Sequence, residues 1–287
     1  MVSIDAQLRN MKRAVQRLST WAITVSVTTG ISAQVHTPMD GLWIPNGPVH
    51  AIARDANNVY VGGYFSEVNA CLPFGVALAH GTGDPFSLHA KPSGAVNAVI
   101  PDGSGGWYIG GEFGVVGTEV RTNVARINAD GTLNPWQCTD NIFPAVTYAL
   151  QLAGDTLFVG TTFGLVAIDL NTGVRIPSVS YISLGPVYCL AKAGNILYFG
   201  GQFDNVDGYA RTNAAAINLS SGFVTLWDPQ AAGLGVRALA VDGNTIYVTG
   251  EFNFLGGQAR QGLGSVDNIF GLATPWAPGA AGGFALA

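Results

Sequence analysis

The sequence writes one short strand five times. VYVGGYF stands at 59–65, WYIGGEF at 107–113, LFVGTTF at 157–163, LYFGGQF at 197–203 and IYVTGEF at 246–252. The aromatic residue before the glycines falls at Tyr60, Tyr108, Phe158, Tyr198 and Tyr247, so the spacings are 48, 50, 40 and 49 residues. Self-similarity at a period of roughly 20–50 residues marks a repeat architecture, in which each unit buries its apolar faces against its neighbours. A sandwich would not repeat its sequence, and a parallel β-helix would need shorter coils.

Each repeat has the same internal order. A short apolar strand comes first: VHAIA at 49, VNAVI at 96, TYALQ at 147, VYCLA at 187 and VRALA at 236. A polar turn follows (Asp55–Asn58, Asp102–Gly106, Gly154-Asp155, Gly194-Asn195, Asp242–Asn244), made of residues that accept positive φ or close a turn with a side-chain oxygen. The glycine-bearing strand is next. A loop leads to a third strand, VARIN at 124, LVAID at 165 or AAAIN at 214, and a further turn to a segment ending in Trp or Pro: LNPW at 133, VRIP at 174, VTLWDP at 224, ATPW at 273. Four strands per 40–50 residues is the arithmetic of a β-propeller blade. The expected fold is all-β, a β-propeller of four-stranded antiparallel blades near 49–95, 96–146, 147–186, 187–235 and 236–281, with a sixth blade begun at 282–287. The third repeat is about eight residues short in the loop after Phe163, a deletion that leaves the strands intact.

A strand covered on both faces reads as a continuous apolar run, as LYF does. Glycine inside a strand marks a bulge or a close backbone approach. The paired glycines therefore predict crowding of adjacent blades, with Thr161 and Thr249 showing that one glycine of a pair can give way to a side chain. The closing Phe (65, 113, 163, 203 and 252) is predicted to plug blade to blade, contributing roughly 1.5–3 kcal/mol by burial.

Charged residues are only 11% of the chain and Gly numbers 39, which suits many tight turns and few helical surfaces. Residues 1–33 differ from the rest. A basic segment, Lys12, Arg13 and Arg17, precedes the uncharged stretch Trp21–Ala33, which ends on a small residue and reads as a secretory signal cut near Ala33. An uncleaved anchor is the alternative, and Met11 is a second possible start. Removing residues 1–33 leaves 9 basic and 17 acidic residues, a net charge of −8. That balance argues against nucleic acid or an anionic membrane surface as partner.

Residues 34–48 form a lead-in in which GLWIPNGP, 41–48, resembles the end of a fourth strand. The chain ends on WAPGAAGGFALA, 276–287, which matches the passage into a new blade. The expectation is a fragment of a longer protein, with the leading strand completing the last blade of a larger ring.

The pattern Tyr-Val-Gly-Gly-x-Phe, a loop, Arg, then Ala-x-Ile-Asn and Gly-x-x-x-x-Trp-x-Pro resembles the delta-60 repeat β-propellers. Residues 198–203, Arg211, 215–218 and Gly222–Pro229 carry it most fully. The resemblance covers about 49–287, and repeats one and three depart from it by lacking the Arg. It implies a propeller in an exported bacterial protein, often part of a larger multidomain chain. It implies no catalytic residues, so none is carried over.

Candidate chemistry is sparse. His36, His50, His80 and His89 lie in the lead-in and first repeat without metal-ligand spacing and read as surface or strand-end residues. Cys71, Cys138 and Cys189 form no CxxC pair; a Cys71–Cys138 bridge stays open, and Cys189 replaces the Ala of other repeats and reads as a buried small residue. NADGTLNPW at 128–136 lacks the Asp-box order and reads as a hairpin turn. Asp204, Asn205 and Asp207 are oxygen-rich, but the corresponding loops do not repeat the oxygens, so a solvated turn is expected rather than a calcium loop. Arg121, Arg211 and Arg260 each follow Glu112, Gln202 and Glu251 by nine residues, which predicts a pair tying two strand ends together; a ring of Arg facing a ligand is the alternative.

The functional expectation is an exported, non-catalytic interaction or scaffold module without cofactor, metal or catalytic residues. Its binding face would carry the loops between second and third strands. Its partner would be a protein or glycan, with no nucleic acid and no membrane insertion after signal cleavage. The alternative is a secreted carbohydrate-active or oxidase-like propeller enzyme with its site at the channel mouth.

Overall fold

The computed structural model describes residues 46–54, 58–65, 75–79, 90–139, 145–182 and 185–278. Residues 1–33, Leu42–Pro45, Cys71, His36, His80, His89 and the closing stretch 282–287 lie outside the described residues. Within them there is no α-helix, only a single 3-10 turn at Pro177–Val179.

Five antiparallel sheets follow one another along the described chain, each starting as a three-strand meander. The first holds Val49–Arg54, Asn58–Gly63 and Gly75–Ala79; the second holds Ala95–Pro101, Trp107–Glu112 and Val124–Ile127. The third holds Thr147–Ala153, Thr156–Thr161 and Gly164–Asp169; the fourth holds Val187–Ala193, Ile196–Gly201 and Ala214–Asn218. The fifth holds Ala232–Asp242, Thr245–Leu255 and Leu263–Asp267. The first strands of consecutive sheets lie beside one another.

The apolar run of each second strand is buried on both faces by this stacking. In the fourth sheet Leu197, Phe199, Ala215 and Ile217 pack back onto Phe158, Leu165 and Ala167 of the third. Tyr198, Ala214 and Ala216, one residue out of phase, pack forward onto Val236, Leu239 and Val248 of the fifth. The strand period of two assigns alternate residues to opposite neighbours.

The two glycines of the repeat have separate tasks. A Cβ on Gly200 would strike the Val236 side chain of the next sheet, and Gly62, Gly110 and Gly160 stand the same way against Val96, Thr147 and Val187. The first glycine is the inter-sheet contact that the sequence predicts. A Cβ on Gly201 would instead strike the Pro186 carbonyl within its own sheet, as Gly63, Gly111 and Gly250 would strike Pro48, Ala95 and Gly235. This second approach sits beside a β-bulge in the first strand.

The predicted fourth strand is shorter than expected. In the second sheet it consists of two bonds, Thr132 accepting from Asn128 N–H and Asn134 N–H donating to Arg126, around a lone bridge at Leu133. Equivalent bridges stand at Arg175, Val224 and Ala273. The ladder stops because the next residue is Pro135, Pro177 or Pro275 in three repeats, and because the Trp N–H is taken by a side chain two residues back. Trp136, Trp227 and Trp276 donate to Asn134 Oδ1, Thr225 Oγ1 and Thr274 Oγ1 at 2.9, 3.2 and 3.3 Å. In the third sheet a two-residue strand, Tyr181–Ile182, continues along Gly164 and Leu165.

The Phe plug holds in four repeats and fails in one. Phe65, Phe113, Phe203 and Phe252 are buried, whereas Phe163 is 54% exposed. The loop deletion is the cause: Thr161 pairs directly with Gly164, so Thr162 and Phe163 become the tip of a tight turn.

Candidate functional site

Every first strand carries its bulge at the same place. The register skips from Val49 to Ala51, Val96 to Ala98, Val187 to Cys189 and Val236 to Ala238, with the same offset opposite Gly160 and Thr161. The skipped residues are His50, Asn97, Tyr148, Tyr188 and Arg237. A bulge re-aims a side chain away from the ladder. Here it turns five residues of four chemical types out of five similar strands.

These side chains touch across the sheet boundaries. His50 Nδ1 lies 2.9 Å from Asn97 Oδ1, and Asn97 Nδ2 donates to the Thr147 carbonyl at 3.0 Å. The Asn97 Oδ1 can only accept, so Nδ1 of exposed His50 is the donor in this contact. Tyr148 and Tyr188 meet edge to face with centroids 5.2 Å apart. The Arg237 guanidinium lies 4.2 Å from the Tyr188 ring centroid, a cation–π stack. Its Nε and Nη2 donate to Glu251 Oε1 at 3.0 and 2.7 Å. Burial opposes the guanidinium charge, but the Glu251 hydrogen bond and the nearby Tyr188 outweigh it and raise its pKa.

A second tier stands beside the first. The residue between the glycine pair and the closing Phe is Tyr64, Glu112, Thr162, Gln202 or Glu251. Glu251 serves Arg237, and Gln202 Oε1 accepts from the Tyr188 hydroxyl at 3.4 Å. Two-stranded ribbons follow the second strands at this same end of the sheets: Val115–Val116 with Glu119–Val120, Asn205–Val206 with Tyr209–Ala210, and the end of Thr245–Leu255 with Gln258–Ala259. Ser93 Oγ, ahead of the second sheet's first strand, accepts from Gly114 and Val115 N–H at 3.1 Å. Each ribbon is anchored by one fully buried side chain, Val116, Val206 or Leu255.

The predicted Glu–Arg pairs are not formed, which corrects the sequence reading. Arg211 Nη1 donates to the Ala210 carbonyl at 2.8 Å and Nη2 to the Thr225 carbonyl at 2.7 Å. Arg121 reaches Val120 and Pro135, and Arg260 reaches Ala259 and Thr274, in the same fork. The Arg is a clamp between the ribbon and the outer segment fourteen residues on, bonded to backbone carbonyls, with the Asp228 carboxylate standing 3.9 Å from Arg211 Nη1. The bonds of the three arginines to these carbonyls are made within each one's own sheet.

Other candidates fall into structural roles. Cys189 is buried beneath Gly200; burial pushes its thiol up to about 12, against the Gly200 hydrogen bond and Arg237, so it is not a nucleophile at neutral pH. Cys138 is half-buried against the cluster between the second and third sheets, and its pairing with Cys71 lies outside the described residues. Asn205 Oδ1 accepts from Gly208 N–H at 2.9 Å and shapes the ribbon turn. Asp130 Oδ1 accepts from Thr132 N–H at 3.0 Å in the hairpin at 128–136. Among the described residues no group of three or more His, Cys, Asp or Glu could hold a metal ion.

The bulged row was not foreseen from the sequence. Its signal is visible in hindsight as the second residue of VHAIA, VNAVI, TYALQ, VYCLA and VRALA, polar or aromatic within otherwise apolar strands.

The sheets stacked through their first strands define a β-propeller, and comparison with known proteins agrees. A family model described as a domain of unknown function (DUF5122) beta-propeller matches residues 101–135. The computationally designed Ika8 protein is similar to 78% of this chain at 17% identity and a TM-score of 0.55, over 60% of its own length. The WD40 β-propeller domain of Doa1 is similar to 71% of this chain at 13% identity and a TM-score of 0.51, again over 60% of its own length. The chain thus spans about three fifths of each of these structures. No curated protein matches it.

Proposed function

We propose that this chain is an exported, non-catalytic β-propeller that acts as an interaction or scaffold module at the bacterial surface or in the medium. The blades run near 49–95, 96–146, 147–186, 187–235 and 236–281, after a signal at 1–33 and a lead-in at 34–48, with a further blade starting at 282–287. The delta-60 resemblance supports export, and the partner we propose is a protein or a glycan. One observation carries the binding role. Framework positions repeat from sheet to sheet, while the five bulged positions hold four residue types and form a row of half-buried or exposed side chains at the ribbon end. Uniform positions serve packing, and variable positions gathered in space serve recognition.

Among the described residues of this face, the groups in contact with the row are engaged in bonds of their own. The carboxylate in contact with the row, Glu251, has its oxygen engaged by Arg237, and His50 faces an amide instead of a nucleophile. The test is cosedimentation of the purified chain with bacterial cell envelopes, alongside chromogenic glycoside and ester substrates. Envelope binding that the variant H50A/N97A/Y188A/R237A loses, with its melting temperature kept, supports the module. Turnover that Glu251→Gln abolishes overturns it.

A further inference from the structure

We infer that the bulged row is a binding site for a neutral carbohydrate, with Tyr148 and Tyr188 as the stacking platform. This rests on the reading of the ribbon end as the binding face. Tyr188 carries the Arg237 guanidinium over its ring at 4.2 Å and meets Tyr148 edge to face at 5.2 Å, so the two rings and the guanidinium hold one another in place. The next residue of the row, Asn97, has its amide fixed on the carbonyl of Thr147, the residue before Tyr148, at 3.0 Å. The rings therefore lose little freedom when a ligand arrives.

Charge and polarity select the ligand class. The only permanent charge in the row is Arg237, and Glu251 neutralises it at 2.7 Å. Within the row itself an anionic or cationic ligand would find no unpaired counter-charge, Glu112 standing outside it in the second tier. The row also holds no aliphatic side chain, so a peptide would find no apolar pocket for an anchor residue. What it offers is aromatic surface rimmed by an amide, an imidazole, and a guanidinium–carboxylate pair. A sugar ring has the complementary form: an apolar C–H face ringed by hydroxyls that both donate and accept.

Affinity electrophoresis at neutral pH tests this, using native gels cast with hydroxyethylcellulose, galactomannan, pullulan or xyloglucan, and with alginate as the anionic control. The 287-residue chain is expected to be retarded by at least one neutral polysaccharide and not by alginate. Tyr148→Ala and Tyr188→Ala are each expected to weaken retardation about tenfold, the size of a lost aromatic contact. Tyr148→Phe, which keeps the ring, should stay within about threefold of the parent on the same scale. Phe223→Ala, on an exposed outer turn, should leave retardation unchanged. Thermal melts of the variants exclude loss of fold. No retardation by any neutral polysaccharide, equal retardation by alginate, or retardation indifferent to Tyr148→Ala overturns the inference. Envelope binding that protease treatment of the envelopes abolishes would leave the module reading standing with a protein partner, while the carbohydrate site falls.

Discussion

Asn213 shows how much one side chain can hold at a repeat junction. Its backbone is left-handed, φ 62°, and it is buried. Oδ1 accepts from Phe203 N–H at 3.1 Å, and Nδ2 donates to the carbonyls of Ala231 and Gly233 at 2.8 and 3.1 Å. Asn123 repeats the arrangement with Phe113 and Ala145. Asn tolerates this backbone better than other side chains and brings both an acceptor and a donor. Asn213→Ala is expected to cost about 2–4 kcal/mol, from the strained backbone and the orphaned groups, with Asn213→Gly in between. Urea denaturation measures both; equal midpoints for parent and Asn213→Ala would refute the role. The glycine pair makes a sharper forecast. Gly200→Ala should lose about 1–3 kcal/mol and be partly rescued by Val236→Ala, because the obstacle is a side chain. Gly201→Ala should not be rescued by any truncation, because its obstacle is the Pro186 carbonyl.

The turn before Trp107 is an element organised by one carboxylate. Asp102 Oδ1 accepts from Ser104 and Gly106 N–H at 2.8 and 2.9 Å, and Oδ2 receives Arg126 Nε and Nη2 at 2.9 and 2.7 Å. Burial pushes the Asp102 pKa up, but the bonds from Ser104, Arg126 and Gly106 outweigh it and hold it below its usual value. A depressed folded pKa stabilises the fold at pH above the unfolded value, about 3.9, and that stabilisation is lost as pH falls through the folded value. Asp102→Asn should therefore be less stable than the parent at pH 7, and the gap should narrow towards pH 3. Urea midpoints across this range read the effect; a gap that stays constant with pH would show that the carboxylate charge is not responsible.

At the level of the molecule, stability is shared between neighbouring sheets. Trp227 Nε1 donates to the Asp267 carbonyl at 2.9 Å, and the Tyr198 hydroxyl donates to the Asn268 carbonyl at 3.1 Å, so two aromatics stacked edge to face at 5.0 Å fasten the fourth sheet to the fifth. Trp227→Phe is expected to lose about 1–3 kcal/mol and to raise amide exchange in both sheets together. Exchange rising in the fourth sheet alone would show that the sheets open independently. Phe203, between the third and fourth sheets, contributes more through burial of its whole ring: Phe203→Ala should cost about 3–5 kcal/mol by chemical denaturation.

The periodicity of the glycine strand led directly to the stacked sheets, since a chain that repeats an apolar strand has to bury both its faces on copies of itself. The buried Phe of four repeats was readable for the same reason. Phe163 was misjudged because the loop deletion beside it, plain in the sequence, moves it to a turn tip only once Thr161 pairs with Gly164. The partners of Arg121, Arg211 and Arg260 were not readable. Sequence shows complementary charges, such as Glu112 and Glu251, but every residue carries a carbonyl, and which one faces a guanidinium depends on how the ribbon folds back. The bulged row was hidden for a related cause. A bulge beside the second glycine position puts one residue of each first strand out of register, and that shift breaks the alternation by which inward and outward residues are told apart. His50, Asn97, Tyr148, Tyr188 and Arg237 are separated by 40–51 residues in the chain, and packing of first strand beside first strand is what makes them neighbours.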